Sequence, residues 1–193
     1  MFNPNITLYL ASQSPRRRAL LKEMGYPVQI IAPPDIDEVY PDTLKGGDIP
    51  LYLAKLKAEV INDRAISDGV LVTADTIVWL DNEVLGKPIN NADAIRMLTR
   101  LAGRKHEVFT GVCLKYKNKC HCFYEATEVY FGPMTEEEIT YYVEQYLPID
   151  KAGAYGVQEW IGFVGVERID GSYFNVMGLP THRLYEELKK IIG

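Results

Sequence analysis

The chain has 193 residues, 47% of them hydrophobic and 24% charged, enough for one substantial core and two lobes of an ordinary globular fold. A net charge of -5 argues against a protein that coats nucleic acid, because that binding relies on a broad Lys and Arg surface to displace counterions. No apolar run reaches the length that crosses a bilayer, and the N-terminus lacks the pattern of a secretory signal, so the expected compartment is cytoplasmic, with no membrane partner.

Residues 6–11, ITLYLA, read as a strand that enters a helix through the turn SQSP. That helix has Ser14 as N-cap, Pro15 at its first position, Leu20, Leu21 and Met24 as an apolar stripe, and Gly25 as its stop. Residues 27–33 predict a second strand, and 35–50 a polar loop bounded by prolines, longer than a connection requires. Helical spacing of Leu51, Ala54, Leu56, Ala58 and Val60 follows over residues 50–63. Residues 69–88 begin as an apolar strand, meet the polar Thr73-Ala74-Asp75-Thr76, resume as IVWL and turn at Asp81-Asn82.

A helix is expected over 91–102, ended by Gly103, and two long antiparallel strands over 106–131 around Lys117-Asn118-Lys119. Residues 135–146 predict a helix with Thr135 and Glu138 at capping-box spacing and Pro148 barring its continuation. The last third is rich in glycine and aromatic residues before a closing helix over 180–192. Early alternation of strands and helices with a central hairpin predicts an α/β fold with a mixed sheet. A central cleft between two lobes of a single domain, 1–193, is where the polar segments are expected to meet.

Cys113, Cys120 and Cys122 form an odd set confined to one region, which does not read as a disulfide framework. A metal site there fails on geometry. In a strand Cys120 and Cys122 share one face while His121 points to the other, and Cys113 across a hairpin leaves the set without a fourth ligand. The expectation is small thiols in a β-hairpin.

The chemistry starts from an oddity in the first helix, which opens with Arg16, Arg17 and Arg18. Free amide groups and the macrodipole already make a helix N-terminus electropositive, so an exposed cation there is disfavoured by roughly 0.3 to 1 kcal/mol. A polyphosphate would reverse the sign by using the amides and arginines together. Arg18 fits a solvated position best, since consecutive helical residues point about 100° apart. Other polar residues stand in apolar context: Ser12, Lys57, Asp75, Thr76 and Lys87, with Asp37 and Glu38 in the long loop. Basic groups neutralise a phosphate chain, while carboxylates hold a divalent ion or take a proton from water. Asp75 stands out, because an ionised carboxylate inside a strand such as GVLVTADTIVWL is costly without compensation. The ordinary alternatives are a surface basic run, a turn-ordering aspartate and solvated loop acids.

LYLASQSPRRRALL, the segment from Ala54 to Ala58, ADTIVWLDNEVLGKP, HEVFTGV, DKAGAYGVQ and IDGSYFNVMGLP occur in that order between about residues 7 and 188. Together they resemble the Maf family of nucleoside triphosphate pyrophosphatases, most closely the branch acting on dTTP and UTP. The resemblance implies a two-lobed Maf/ITP-pyrophosphatase-like fold, frequent homodimers, and hydrolysis of a nucleoside triphosphate to the monophosphate and diphosphate with a divalent cation, Mg²⁺, Mn²⁺ or Co²⁺. It implies that Asp75 is the proton acceptor, that Arg16, Thr76 and Gln158 bear on substrate choice, and that Ser12, Arg17, Glu38, Lys57 and Lys87 line the cleft. Glu38 and Asp75 are the candidate metal ligands, and Asp75 as base or as ligand remains open at this level. Gln158 suits pyrimidine reading, since uracil and thymine present an O4 acceptor beside an N3–H donor and a primary amide offers the complement. Guanine offers the same pair, so pocket size must exclude it. Gln13 and Trp160 depart from residues common in the family. Two rivals differ in kind: a pyrophosphatase for noncanonical or modified nucleotides, and a cell-division regulatory protein that keeps the fold without turnover.

Overall fold

The computed structural model describes residues 5–62, 66, 68–117 and 119–192. Strands β1 (Leu8–Ala11), β2 (Val28–Ile31), β3 (Val70–Leu80), β4 (Glu83–Leu85), β5 (Lys105–Tyr116), β6 (Lys119–Phe131) and β7 (Val166–Asp170) form one mixed sheet. Its order is β2-β1-β3-β5-β6-β7, with β4 paired to β3. The helices are α1 (Pro15–Glu23), α2 (Asp48–Glu59), α3 (Asn91–Leu101), α4 (Glu136–Tyr146), α5 (Trp160–Gly165), α6 (Tyr173–Met177) and α7 (Thr181–Ile192). By contact the chain divides into two compact units, one of Met1–Asp75, Thr110–Glu125 and Gly178–Gly193, the other of Thr76–Phe109 and Ala126–Met177.

In the first unit β1 pairs in parallel with both β2 and β3, which requires the crossovers that α1 and α2 supply. Every residue of β1 is buried, which is why LYLA is apolar throughout rather than alternating. Ala54 and Ala58 are fully buried in a cluster with Tyr9, Ala11 and Leu71, and Thr73 donates its hydroxyl to the Ala54 carbonyl at 2.6 Å. In α1, Ser14 accepts from the Arg17 amide, and Gly25 takes the left-handed conformation (φ 80°) that ends the helix without a Cβ penalty. In the second unit Val78, Leu98, Leu101, Val129, Phe131, Tyr142 and Ile161 share one core. There α4 carries both halves of the capping box, Glu138 N–H to Thr135 Oγ at 3.2 Å and Thr135 N–H to Glu138 Oε2 at 2.7 Å. The strand β7 pairs antiparallel with β6.

Four expectations change. β3 runs unbroken through Thr73–Thr76, because the buried Thr73 hydroxyl finds a carbonyl and a polar residue there is no interruption. α2 begins at Asp48, with Pro50 in the first turn where its missing N–H costs nothing, and ends at Glu59. The expected last residue of that helix, Asp63, and the hairpin residue Asn118 lie outside the described residues. α5, β7 and α6 had no counterpart in the sequence reading, being five or six residues each and too short to show a period. Finally, Cys113 and Cys122 are joined by a disulfide between the adjacent strands β5 and β6, correcting the expectation of thiols; Cys120 alone is free, and exposed.

Candidate active site

Asp75 is 9% exposed near the middle of β3, where an apolar strand places it in the interior. Lys57, in the last turn of α2, reaches it: Nζ lies 2.7 Å from Asp75 Oδ1. The same ammonium lies 2.6 Å from Glu38 Oε1, so one cation bridges the strand carboxylate and the long-loop carboxylate. Lys57 and Asp75 side chains are largely buried while Glu38 is about half exposed, so the inner pair interacts in a lower dielectric than the outer one.

Arg17 sits against this group. Its Nε donates to the Gly178 carbonyl and its Nη1 to the Ala74 carbonyl, each at 2.8 Å. Burial pushes the guanidinium below its ordinary value; Asp75 opposes that shift, Arg16 adds to it and Glu38 again opposes it. These couplings bring Arg16, Glu38 and Asp75 within electrostatic reach of Arg17, which stays charged all the same. Ser12 is buried, and its hydroxyl accepts from the Ser14 amide at 3.1 Å, shaping the turn into α1. No acidic side chain stands in the first turn of α1, so the chain supplies no anion of its own in that turn. Lys57 therefore pairs with two carboxylates, Glu38 and Asp75, with Arg17 beside them and Arg16 within electrostatic reach of Arg17.

Ser12, Arg16, Arg17, Glu38, Lys57 and Asp75 all belong to the first unit. Thr76, Lys87 and Gln158 belong to the second: Thr76 is half-buried in β3, Lys87 exposed just after β4, and Gln158 half-buried in the turn before α5. The Gln158 Oε1 atom is buried and has no hydrogen-bond partner among the described residues. Asp37 and Arg18 are exposed, in keeping with solvated positions.

Sequence reasoning gave no part to the carbonyls of Ala74 and Gly178, which no residue type announces, nor to Tyr142, Lys151 and Glu159 around the Gln158 turn. The available signal was Lys151 and Glu159 flanking a run of glycine and apolar residues, where charges need partners.

The chain matches the Maf-like protein family over residues 7–191. A protein of Bacteroides fragilis named dTTP/UTP pyrophosphatase is 53% identical over 184 residues, covering 95% of each chain. A protein of the same name from Phocaeicola vulgatus is likewise 53% identical over 184 residues, with 95% of each covered. A solved HAM1 protein of Coxiella burnetii superposes with a TM-score of 0.53 at 14% identity, covering 96% of this chain and 99% of that one, which is a likeness of fold. With one family matched from the first strand to the last helix and full-length relatives at half identity, this chain belongs to the Maf-like proteins.

Proposed function

We propose that the protein is a nucleoside triphosphate pyrophosphatase that hydrolyses dTTP and UTP to the nucleoside monophosphate and diphosphate. The observation that carries the reading is the buried Asp75 carboxylate on Lys57, beside Glu38 and Arg17, in a chain half identical to proteins named for that activity. In this reading a water oxygen bonds to the α-phosphorus, the bond from that phosphorus to the α,β-bridging oxygen breaks, and the diphosphate departs with the electron pair. The water's proton passes to Asp75. Arg16, Arg17, Lys57 and Lys87 balance charge on the phosphates and the departing diphosphate, and Ser12 shapes the turn that presents the α1 amides. Thr76 and Gln158, with Arg16, discriminate the base, the amide of Gln158 matching the imide edge of uracil and thymine.

A divalent cation would be held at Glu38, with Asp75 as ligand only as the alternative to its role as base; in this structure the Lys57 ammonium pairs with both carboxylates. Among the described residues no three His, Cys, Asp or Glu side chains gather as a metal site, so the chain offers two carboxylates, Glu38 and Asp75. Glu38, or Asp75 were it ligand rather than base, would hold Mg²⁺, Mn²⁺ or Co²⁺, hard cations that one or two carboxylates can take. Bound there, such an ion supplies neutralisation of phosphate charge and a more acidic water. The acidic balance of the chain supports a small-molecule substrate over nucleic acid, and no described helix is long and apolar enough to cross a membrane. We assign the activity to the cytoplasm.

The test is diphosphate release from UTP, dTTP, CTP and GTP with each of the three metals, for the parent protein and Asp75→Asn. UTP and dTTP are expected to be preferred, and the variant to keep its fold and its nucleotide binding while turnover drops ~10² to 10⁴-fold. Near-normal turnover in Asp75→Asn would remove that residue from the proton-accepting role, and no diphosphate from any nucleotide would sink the reading.

A further inference from the structure

The turn that carries Gln158 is held by an arrangement of buried polar groups that phosphate chemistry does not use. Lys151 is 7% exposed, and its ammonium lies 2.8 Å from Asp150 Oδ1 and 3.2 Å from Glu159 Oε1. Asp150 is half exposed and Glu159 largely buried, so Glu159 is the inner partner. The other oxygen of that carboxylate, Oε2, accepts from the hydroxyl of Tyr142, a fully buried side chain of α4, and the same hydroxyl accepts from the Gly156 amide at 3.0 Å. Both carboxylate oxygens and the phenol are thus committed to fixing residues 156–159.

Gly156 shows how tight the fold-back is. A Cβ there would come within 2.8 Å of Glu159 Cδ and 2.9 Å of both Glu159 Oε2 and Gln158 Nε2, so the two side chains close over the bare glycine backbone. The Gly162 amide donates to the Glu159 carbonyl at 2.9 Å, starting α5 directly from this turn. At the turn's other end the Gly153 amide donates to the carbonyl of Gly86, the residue before Lys87, at 3.0 Å. A buried ion pair of this kind adds little stability over an apolar replacement, and its better-attested use is to select one conformation.

We propose that Glu159 is a positioning residue for base recognition: clamped by Lys151 and Tyr142, it holds the Gln158 amide in one place over Gly156. This rests on the reading of Gln158 as the residue that meets the base. The prediction is a loss of discrimination with chemistry left largely intact, since the clamp residues are none of those assigned above to the phosphates and their contacts are to one another and to the Gly156 amide.

The experiment compares Glu159→Gln, which keeps the volume and removes the charge, and Tyr142→Phe, which removes only the hydroxyl, with Gln158→Ala and the double variant Gln158→Ala/Glu159→Gln. Michaelis constant and turnover are measured for UTP, dTTP, CTP and GTP beside thermal melts. Each clamp variant is expected to raise the Michaelis constant for UTP and dTTP roughly tenfold with turnover within about threefold, narrowing selectivity, and the double variant to be no worse than Gln158→Ala. If Gln158→Ala changes selectivity while both clamp variants melt lower yet keep it, the clamp is structural and the inference falls alone. If Gln158→Ala leaves selectivity unchanged, the base-reading assignment is what fails. Failure of both clamp variants to fold at the assay temperature also overturns the positioning role.

Discussion

His106 illustrates how much a single side chain can contribute without appearing in any motif of chemistry. It is 2% exposed, its Nε2 lies 2.8 Å from the Tyr155 hydroxyl, and its ring meets Phe131 and Tyr155 edge-on. Burial pushes its pKa down to about 3 and raises that of Tyr155, so both are neutral at physiological pH. Because the unfolded chain takes up the proton near pH 6.5 and the folded one only near 3, stability is whole above 6.5 and falls between those values. The slope approaches about 1.4 kcal/mol per pH unit. His106→Gln should flatten the urea-denaturation midpoint between pH 6.5 and 4; an unchanged profile would show that another group sets the acid limb. The sequence offered HEVFTGV as a pattern but no clue to this role, since burial of a histidine is decided by tertiary packing. Asp75 was the opposite case: a carboxylate inside an apolar strand advertises itself, and Lys57 at 2.7 Å supplies the compensation such a group demands. Lys151 and Glu159 went unread because a glycine-rich stretch without periodicity does not reveal which charges turn inward.

At the level of elements, α7 is fastened by one buried carboxylate. Glu187 accepts from Arg183 Nε at 2.8 Å, from Lys190 Nζ at 3.0 Å and from His121 Nε2 on β6 at 2.8 Å. Burial alone would raise its pKa, but the hydrogen bonds from Lys190, Arg183 and His121 outweigh it and lower the value to about 2. The stabilisation is complete above the unfolded value near 4.5 and lost as pH falls from there through about 2, a shift equivalent to about 3 kcal/mol. Glu187→Gln should therefore be less stable than the parent protein at pH 7, by less than that amount because Arg183, Lys190 and His121 are about half exposed and screened by solvent, and the gap should close as the pH drops below 4.5. A constant gap in denaturant titrations across that range would contradict the assignment. The termini of longer elements were readable in advance, with Ser14 and Thr135 both capping as their spacing implied. Elements of five or six residues were not, because they are made by neighbours such as β6 pairing with β7 rather than by local preference.

For the whole molecule, the mixed sheet and the fold could be anticipated because alternating strands and helices followed by a long hairpin leave few arrangements. The division into units is less visible in sequence, since the first unit draws on three separate segments and the second on two. The last segment supplies Leu184 and Leu188, both fully buried, together with Glu187 and the Gly178 carbonyl that Arg17 grips. A chain ended after Met177 should consequently lose its cooperative melting transition and near-ultraviolet dichroism; a sharp, native-like melt of that truncation would show that the first unit can close without α7.

The fork of Arg17 carries a warning for anyone dissecting this protein by substitution. Because two of its donors fasten the carbonyls of Ala74 and Gly178, replacing it by alanine detaches the stretch bearing Asp75 from the start of the C-terminal segment. A drop in rate after such a change would conflate lost anion affinity with a displaced carboxylate, and lysine, a point charge without the fork, could not restore the second role.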